Sequence, residues 1–87
     1  MRAINEDDIQ KKIALNFIQK LINEYEEKEN ECNLLITDLE NKNRILRRLG
    51  RSVDQRLTII FEIKIAETKS DLCADAKKNL KSILELI

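Results

Sequence analysis

Apolar side chains recur at every seventh position through the middle of this chain, and this spacing restricts the fold more than any other feature. One series continues without a break for seven members: Ile18, Tyr25, Cys32, Leu39, Leu46, Val53 and Ile60. A second series, three residues further on, alternates apolar with basic side chains: Leu21, Lys28, Leu35, Lys42, Leu49, Arg56 and Ile63. A sustained seven-residue repeat turns one stripe of a helix toward a neighbouring helix. We therefore expect coiled-coil-like packing, with an ordinary globular helix pair as the alternative.

Strong helix breakers are almost absent, so the helices are expected to be long. Proline does not occur, and Gly50 is the only glycine. Asn5 is a suitable N-cap before an acidic first turn, and two basic residues, Arg47 and Arg48, occupy the turn that Gly50 would end. The pattern predicts one helix over about 6–49 and a tight turn at 50–52. A break near the polar segment 29–32 is the competing prediction.

The second half of the chain allows two interpretations. Ser52 and Gln55 have the spacing of a capping box, which predicts a helix, or two shorter helices divided near 68–71, over about 53–87. Residues 57–65, however, have an apolar side chain at every second position, from Leu57 to Ile65, and are rich in β-branched residues, as in a strand. No second segment has strand character, so such a strand would pair only with its copy in another subunit. We favour the helix and keep an intersubunit β-ribbon, and hence an α+β fold, as the alternative.

The chain is short enough to limit the architecture to one domain over 1–87. With 87 residues, its own core is marginal, and chains of this size often complete it by oligomerising. The fold prediction is therefore all-α: an antiparallel helical hairpin with coiled-coil-like heptads, completed as a bundle by association.

Residues that carry out chemistry are scarce. The chain has no histidine, which removes the commonest general base and metal ligand, and its two cysteines, Cys32 and Cys73, are far apart in sequence. A single glycine cannot form a phosphate-binding loop. We expect no enzyme, no cofactor and no metal site. We expect instead a protein–protein interaction module that serves in oligomerisation, as an adaptor or assembly subunit, or as an inhibitor of a partner.

Charge is divided unevenly along a chain whose net charge is zero. Residues 1–41 contain 5 basic and 10 acidic side chains, a net of −5, whereas residues 42–56 contain 6 basic and 1 acidic, a net of +5. An antiparallel homodimer of the first helix, with its two-fold axis near residue 37, would bring these segments together. The residues expected to pair by charge are Glu24, Glu27, Glu31, Arg44, Arg47, Arg48 and Arg51. The residues of the expected partner-binding seam are Ile18, Leu21, Tyr25, Cys32, Leu35, Leu39, Leu46 and Leu49.

Another helical protein could use the same seam in place of a second copy. The basic cluster over 44–56 also suggests a small nucleic-acid-binding regulator, although no aromatic residues are interleaved to stack on bases. No apolar run approaches the ~20 residues of a membrane span, and no apolar leader is visible. We therefore expect no membrane partner and an intracellular, cytoplasmic location with reduced thiols.

Overall fold

Two long helices account for the fold in the computed structural model, which describes residues 6–87. Helix α1 spans Glu6–Arg48 and helix α2 spans Val53–Leu86. They pack side by side as an antiparallel hairpin with principal extents of 77 × 16 × 14 Å. The all-α hairpin prediction is confirmed.

The turn between the helices forms where the glycine predicted it. Gly50 has a φ of 67°, the left-handed conformation that only glycine adopts without strain. Its amide donates to the carbonyl of Arg47 at 3.2 Å, and the amide of Arg51 donates to the carbonyl of Leu46 at 3.0 Å. These two bonds are those of a Schellman motif, which satisfies carbonyls that the end of α1 would otherwise leave unpaired.

The favoured predictions of a continuous first helix and of a helix over 57–65 are confirmed, whereas the capping prediction for the second helix is wrong. Residues 57–65 lie inside α2, and the described part of the chain, 6–87, contains no strand, so no β-ribbon exists there. Helix α1 continues through 29–32 without a break, and α2 continues through 68–71. Ser52 occupies the N-cap position of α2, but its side chain makes no capping hydrogen bond, so the capping box with Gln55 does not form. The predicted N-cap of α1, Asn5, lies outside the described residues.

The seam between α1 and α2 is the stripe along which the two helices face each other. Its α1 side follows a three-four spacing and is buried or half-buried throughout: Ile18, Ile22, Tyr25, Glu29, Cys32, Ile36, Leu39, Asn43 and Leu46. Its α2 side has the same spacing: Arg56, Ile59, Ile63, Ala66, Ser70, Cys73, Lys77, Leu80 and Leu84. Every second heptad position on α1 therefore differs from the prediction, because Ile22, Glu29, Ile36 and Asn43 replace Leu21, Lys28, Leu35 and Lys42.

Polar side chains cross the seam at three levels. Arg56 Nε donates to Asn43 Oδ1 at 3.4 Å near the turn, and Ser70 Oγ donates to Asn33 Oδ1 at 3.0 Å further along. At the third level, Lys77 of α2 forms an ion pair with Glu29 of α1. The apolar core between them is thin, since among residues 6–87 only Ile22 and Leu39, each 4% exposed, and Ala66, 2% exposed, are buried.

Candidate protein-binding face

The predicted partner-binding seam divides into two groups in the structure. Ile18, Tyr25, Cys32, Leu39 and Leu46 pack toward α2 and are buried or half-buried. The remaining three residues lie beside this stripe: Leu21 is half-buried, and Leu35 and Leu49 are exposed. Five of the eight predicted residues are therefore used within the chain, and only the other three are available to a partner.

A shallow groove runs along one side of the hairpin, where this available half lies. On α1 its walls include Glu31 and Leu35, and on α2 they include Glu62, Ile65 and Lys69. Toward the open end of the hairpin the groove continues between two further pairs: Tyr25 and Lys28 on α1, and Leu72 and Cys73 on α2.

Large apolar side chains remain exposed in this groove. Leu35 is 49% exposed, Ile65 is 56% exposed and Leu72 is 63% exposed. Because residues seven apart return to nearly the same side of a helix, this side can be followed along both helices. We call it the open face. It comprises, on α1, Phe17, Leu21, Glu24, Lys28, Glu31, Leu35, Asp38, Lys42, Ile45 and Leu49. On α2 it comprises Gln55, Thr58, Glu62, Ile65, Lys69, Leu72, Ala76, Asn79, Ile83 and Leu86.

The opposite side of the hairpin, the polar face, has a different composition. Its α1 residues, spaced by seven on either side of Asn33, are Gln19, Glu26, Asn33, Glu40 and Arg47. On α2 it carries the surface around Ala74, Lys78, Lys81 and Glu85. The α1 residues of the polar face are all polar or charged, as on an ordinary solvated surface. Some apolar side chains off the open face, such as Leu34 and Phe61, are also exposed.

The charges predicted to pair between copies lie in different places. Glu24 and Glu31 lie on the open face and Glu27 on the outer side of α1, and all three are exposed. The arginines at the end of α1 and in the turn are also exposed, but they lie away from the open face: Arg44, Arg47, Arg48 and Arg51. The two groups are not brought together within one chain, since at least 13 residues, about 20 Å of helix, separate them.

The acidic segment of α1 finds a partner inside the chain instead. Lys77 Nζ lies 2.8 Å from Glu29 Oε2, and both side chains are largely covered, at 18% and 23% exposed. Hydrogen bonding to Glu29 raises the pKa of the Lys77 ammonium above the ordinary lysine value of 10.5. The sequence does not predict this pair, because Glu29 falls outside both heptad series and lies in the polar segment 29–32, where a break is the competing prediction.

Lys28 has a contact that holds it near the groove. Its ammonium lies 5.5 Å from the centroid of the Tyr25 ring, within the range of a cation–π interaction. The Tyr25 ring thus holds the ammonium of Lys28 beside the apolar part of the open face.

The two cysteines are free thiols, and both are half-buried beside the groove. Within residues 6–87, no group of three or more cysteine or acidic side chains is placed to hold a metal ion. Neither α1 nor α2 has a stretch long and apolar enough to cross a membrane.

Comparisons with protein-family models, with curated proteins and with solved structures give no match to this chain.

Proposed function

We propose that this chain is a non-enzymatic protein–protein interaction module whose binding surface is the open face. The partner is a helical chain, either a second copy or a different protein, that lies along the groove. The role of the chain is then oligomerisation, adaptor or assembly work, or inhibition of that partner. With its thiols reduced, as the free Cys32 and Cys73 allow, we place this role in the cytoplasm.

The observation that carries the proposal is the row of exposed apolar residues that lines the groove of the open face. Leu35, Ile65 and Leu72 are each about half exposed or more, and they line one continuous groove. A contiguous apolar patch of this kind, bordered by charged residues such as Glu31 and Lys69, is typical of an interaction site. Two helices also leave a groove of the shape that a further helix fills.

Site-specific photo-crosslinking in cells that make the chain tests this function. A photoreactive amino acid at Leu35, in the open face, should give a discrete crosslinked product. The same group at Glu40, which lies on α1 in the polar face, is the matched control and should give none. If position 35 gives no product, or if both positions give the same products, the proposal fails. The mass of the product separates a second copy from a different protein.

The exposed arginines support a second candidate, a small nucleic-acid-binding regulator. Arg44, Arg47, Arg48 and Arg51 lie together near the turn and are all exposed, so they can reach phosphates. Arg47→Glu combined with Arg48→Glu should abolish binding to DNA or RNA without changing the oligomer size, if this candidate is right. If the parent chain binds neither nucleic acid at low salt, the candidate is excluded.

A further inference from the structure

We propose that the occupant of the open face is a second copy of this chain, turned end for end, with the two-fold axis at the level of Asn33 in α1 and Ser70 in α2. This inference rests on the proposed function and names its partner. The two hairpins would form an antiparallel four-helix bundle, with α1 lying against α1 of the second copy and α2 against α2.

Charge complementarity along α1 selects this register. With the axis at Asn33, residues of the two copies that face each other have numbers that sum to 66. Lys28 then faces Asp38 of the second copy, and Glu24 faces Lys42 of the second copy. The two-fold axis repeats each pair, so four oppositely charged contacts form and no like charges meet on α1.

The apolar residues of α1 match in the same register. Phe17 faces Leu49 of the second copy, and Leu21 faces Ile45 of the second copy. Three of these four side chains are exposed in the single hairpin, and Leu21 is half-buried. Association would therefore cover apolar surface at both ends of the charged segment.

Neighbouring registers are less favourable. A seven-residue shift of one copy moves the axis by about half a heptad and makes more acidic residues face apolar ones. The register at Asn33 has one such pair on α1, Glu31 with Leu35 of the second copy, whereas each shifted register has two. In one direction Leu21 would face Asp38 of the second copy, and in the other Leu49 would face Glu24 of the second copy. Burying an unpaired carboxylate against a leucine is costly, so the sequence of α1 favours the register at Asn33, which has the fewest such contacts.

The α2 residues agree with the same axis. The hydrogen bond from Ser70 to Asn33 places Ser70 at the level of the axis. Around it, Ile65 would face Ala76 of the second copy and Lys69 would face Leu72 of the second copy, so no like charges meet beside the axis. If both turns lay at the same end instead, Asp38 would lie near Glu62 of the second copy, since Glu62 lines the groove beside Leu39.

The size of the exposed surface also fits a second copy. The accessible surface is 7229 Å², about a third more than the ~5300 Å² expected of a compact monomer of 10.2 kDa. A stable interface of standard size removes about 800 Å² from each partner, and the open face extends along the whole paired length of the hairpin.

This register differs from the one at residue 37 predicted from the sequence. That arrangement pairs Leu35 with Leu39 and Cys32 with Lys42, yet Leu39 is only 4% exposed because α2 covers it. It could form only if the hairpin opened. The register at Asn33 uses side chains that α2 leaves uncovered.

A charge-swap experiment tests the register. The parent chain should have twice the 10.2 kDa chain mass in light scattering. Lys28→Glu or Asp38→Lys alone should raise the dimer dissociation constant about tenfold, because each turns two attractive contacts into repulsive ones. The double variant K28E/D38K should return it to within about threefold of the parent value. Within one chain these residues are 10 positions, about 15 Å, apart, so the rescue can arise only between copies.

A disulfide-crosslinking experiment tests the same register independently. In a background carrying Cys32→Ala and Cys73→Ala, chains with Lys28→Cys mixed with chains carrying Asp38→Cys should form an interchain disulfide on oxidation. Glu26→Cys mixed with Glu40→Cys is the matched control, because these numbers also sum to 66 but lie on the polar face. We expect no crosslink there.

Three results would overturn the inference. The first is a parent chain that stays monomeric at about 100 µM, roughly the upper limit of the dissociation constant for a weak specific dimer. The others are a double variant whose dissociation constant does not return toward the parent value, and equal disulfide crosslinking on the open and polar faces. Circular dichroism at 222 nm checks that each variant keeps its helices. If the purified chain is monomeric while photo-crosslinking at Leu35 captures a different protein, this inference fails and the proposed function stands.

Discussion

The seam and the open face are neighbouring stripes of the same helix, and they differ in what covers them. Leu39 lies in the seam and is 4% exposed, whereas Leu35, one turn earlier on α1, lies on the open face and is 49% exposed. A single packing helix covers only one stripe of its neighbour. The apolar surface of α1 is wider than one stripe, so the hairpin covers one stripe of it and leaves the rest exposed.

The two stripes also differ in how they use charge. In the seam, Glu29 and Lys77 pair with each other at 2.8 Å within the chain. On the open face, Lys28 and Lys42 are exposed, with no cross-helix ion pair to α2 among the described residues. The seam is therefore internally matched, whereas the charges of the open face can still select a partner and its register.

Truncating one leucine in each stripe should give the largest contrast. Leu39→Ala should lower the free energy of unfolding by about 2–4 kcal/mol, because it leaves a cavity in a thin core. Leu35→Ala should lower it by less than ~1 kcal/mol at a concentration where the chain is monomeric, but it should weaken association. Urea unfolding followed by circular dichroism measures both. Equal losses of stability would mean that the two stripes are not distinct.

Enlarging an alanine should sharpen the same contrast with a smaller effect. Ala66 is 2% exposed and lies in the seam, so Ala66→Leu should force the helices apart and cost about 1–3 kcal/mol. Ala74→Leu, on the exposed polar face of α2, is the matched control and should change stability by less than about 0.5 kcal/mol. Thermal unfolding measures the stability of both variants. If Ala74→Leu were destabilised more than Ala66→Leu, the assignment of Ala66 to the seam would be wrong.

The sequence predicts the hairpin well but the seam only in part. Gly50 fixes the turn, since no other residue tolerates its backbone conformation as easily, and the lack of other breakers predicts the two long helices. The helix favoured over 57–65 is confirmed. The sequence alone leaves the strand open as an alternative because apolar residues at every second position and at helical spacing coincide there, and packing on α1 decides between them.

The seam register itself could not be predicted from α1 alone. The row that α2 covers includes Glu29 and Asn43, which one would expect to be solvated. They are tolerated because α2 supplies Lys77 and Arg56 at matching levels. The pairing of Glu29 with Lys77 and of Asn43 with Arg56 can be recognised only when the two helices are aligned. The same alignment defines which residues form the open face. The predicted binding role and partner remain predictions.

The smallest expected effect concerns the charged pair in the seam, and it depends on pH. The Lys77 pKa is raised in the folded chain by its hydrogen bond to Glu29. The stabilisation from this pair is therefore fully present below the unfolded lysine pKa and is lost as pH rises through the raised folded value. Lys77→Met should lower the melting temperature at pH 7, and the difference from the parent should shrink as the pH is taken above about 11. Lys78→Met, at an exposed neighbouring site, should show a smaller difference without this pH dependence. A Lys77→Met difference that stayed constant up to pH 12 would mean that Lys77 acts through the packing of its aliphatic stem, and the seam would then depend on shape at this level and not on charge.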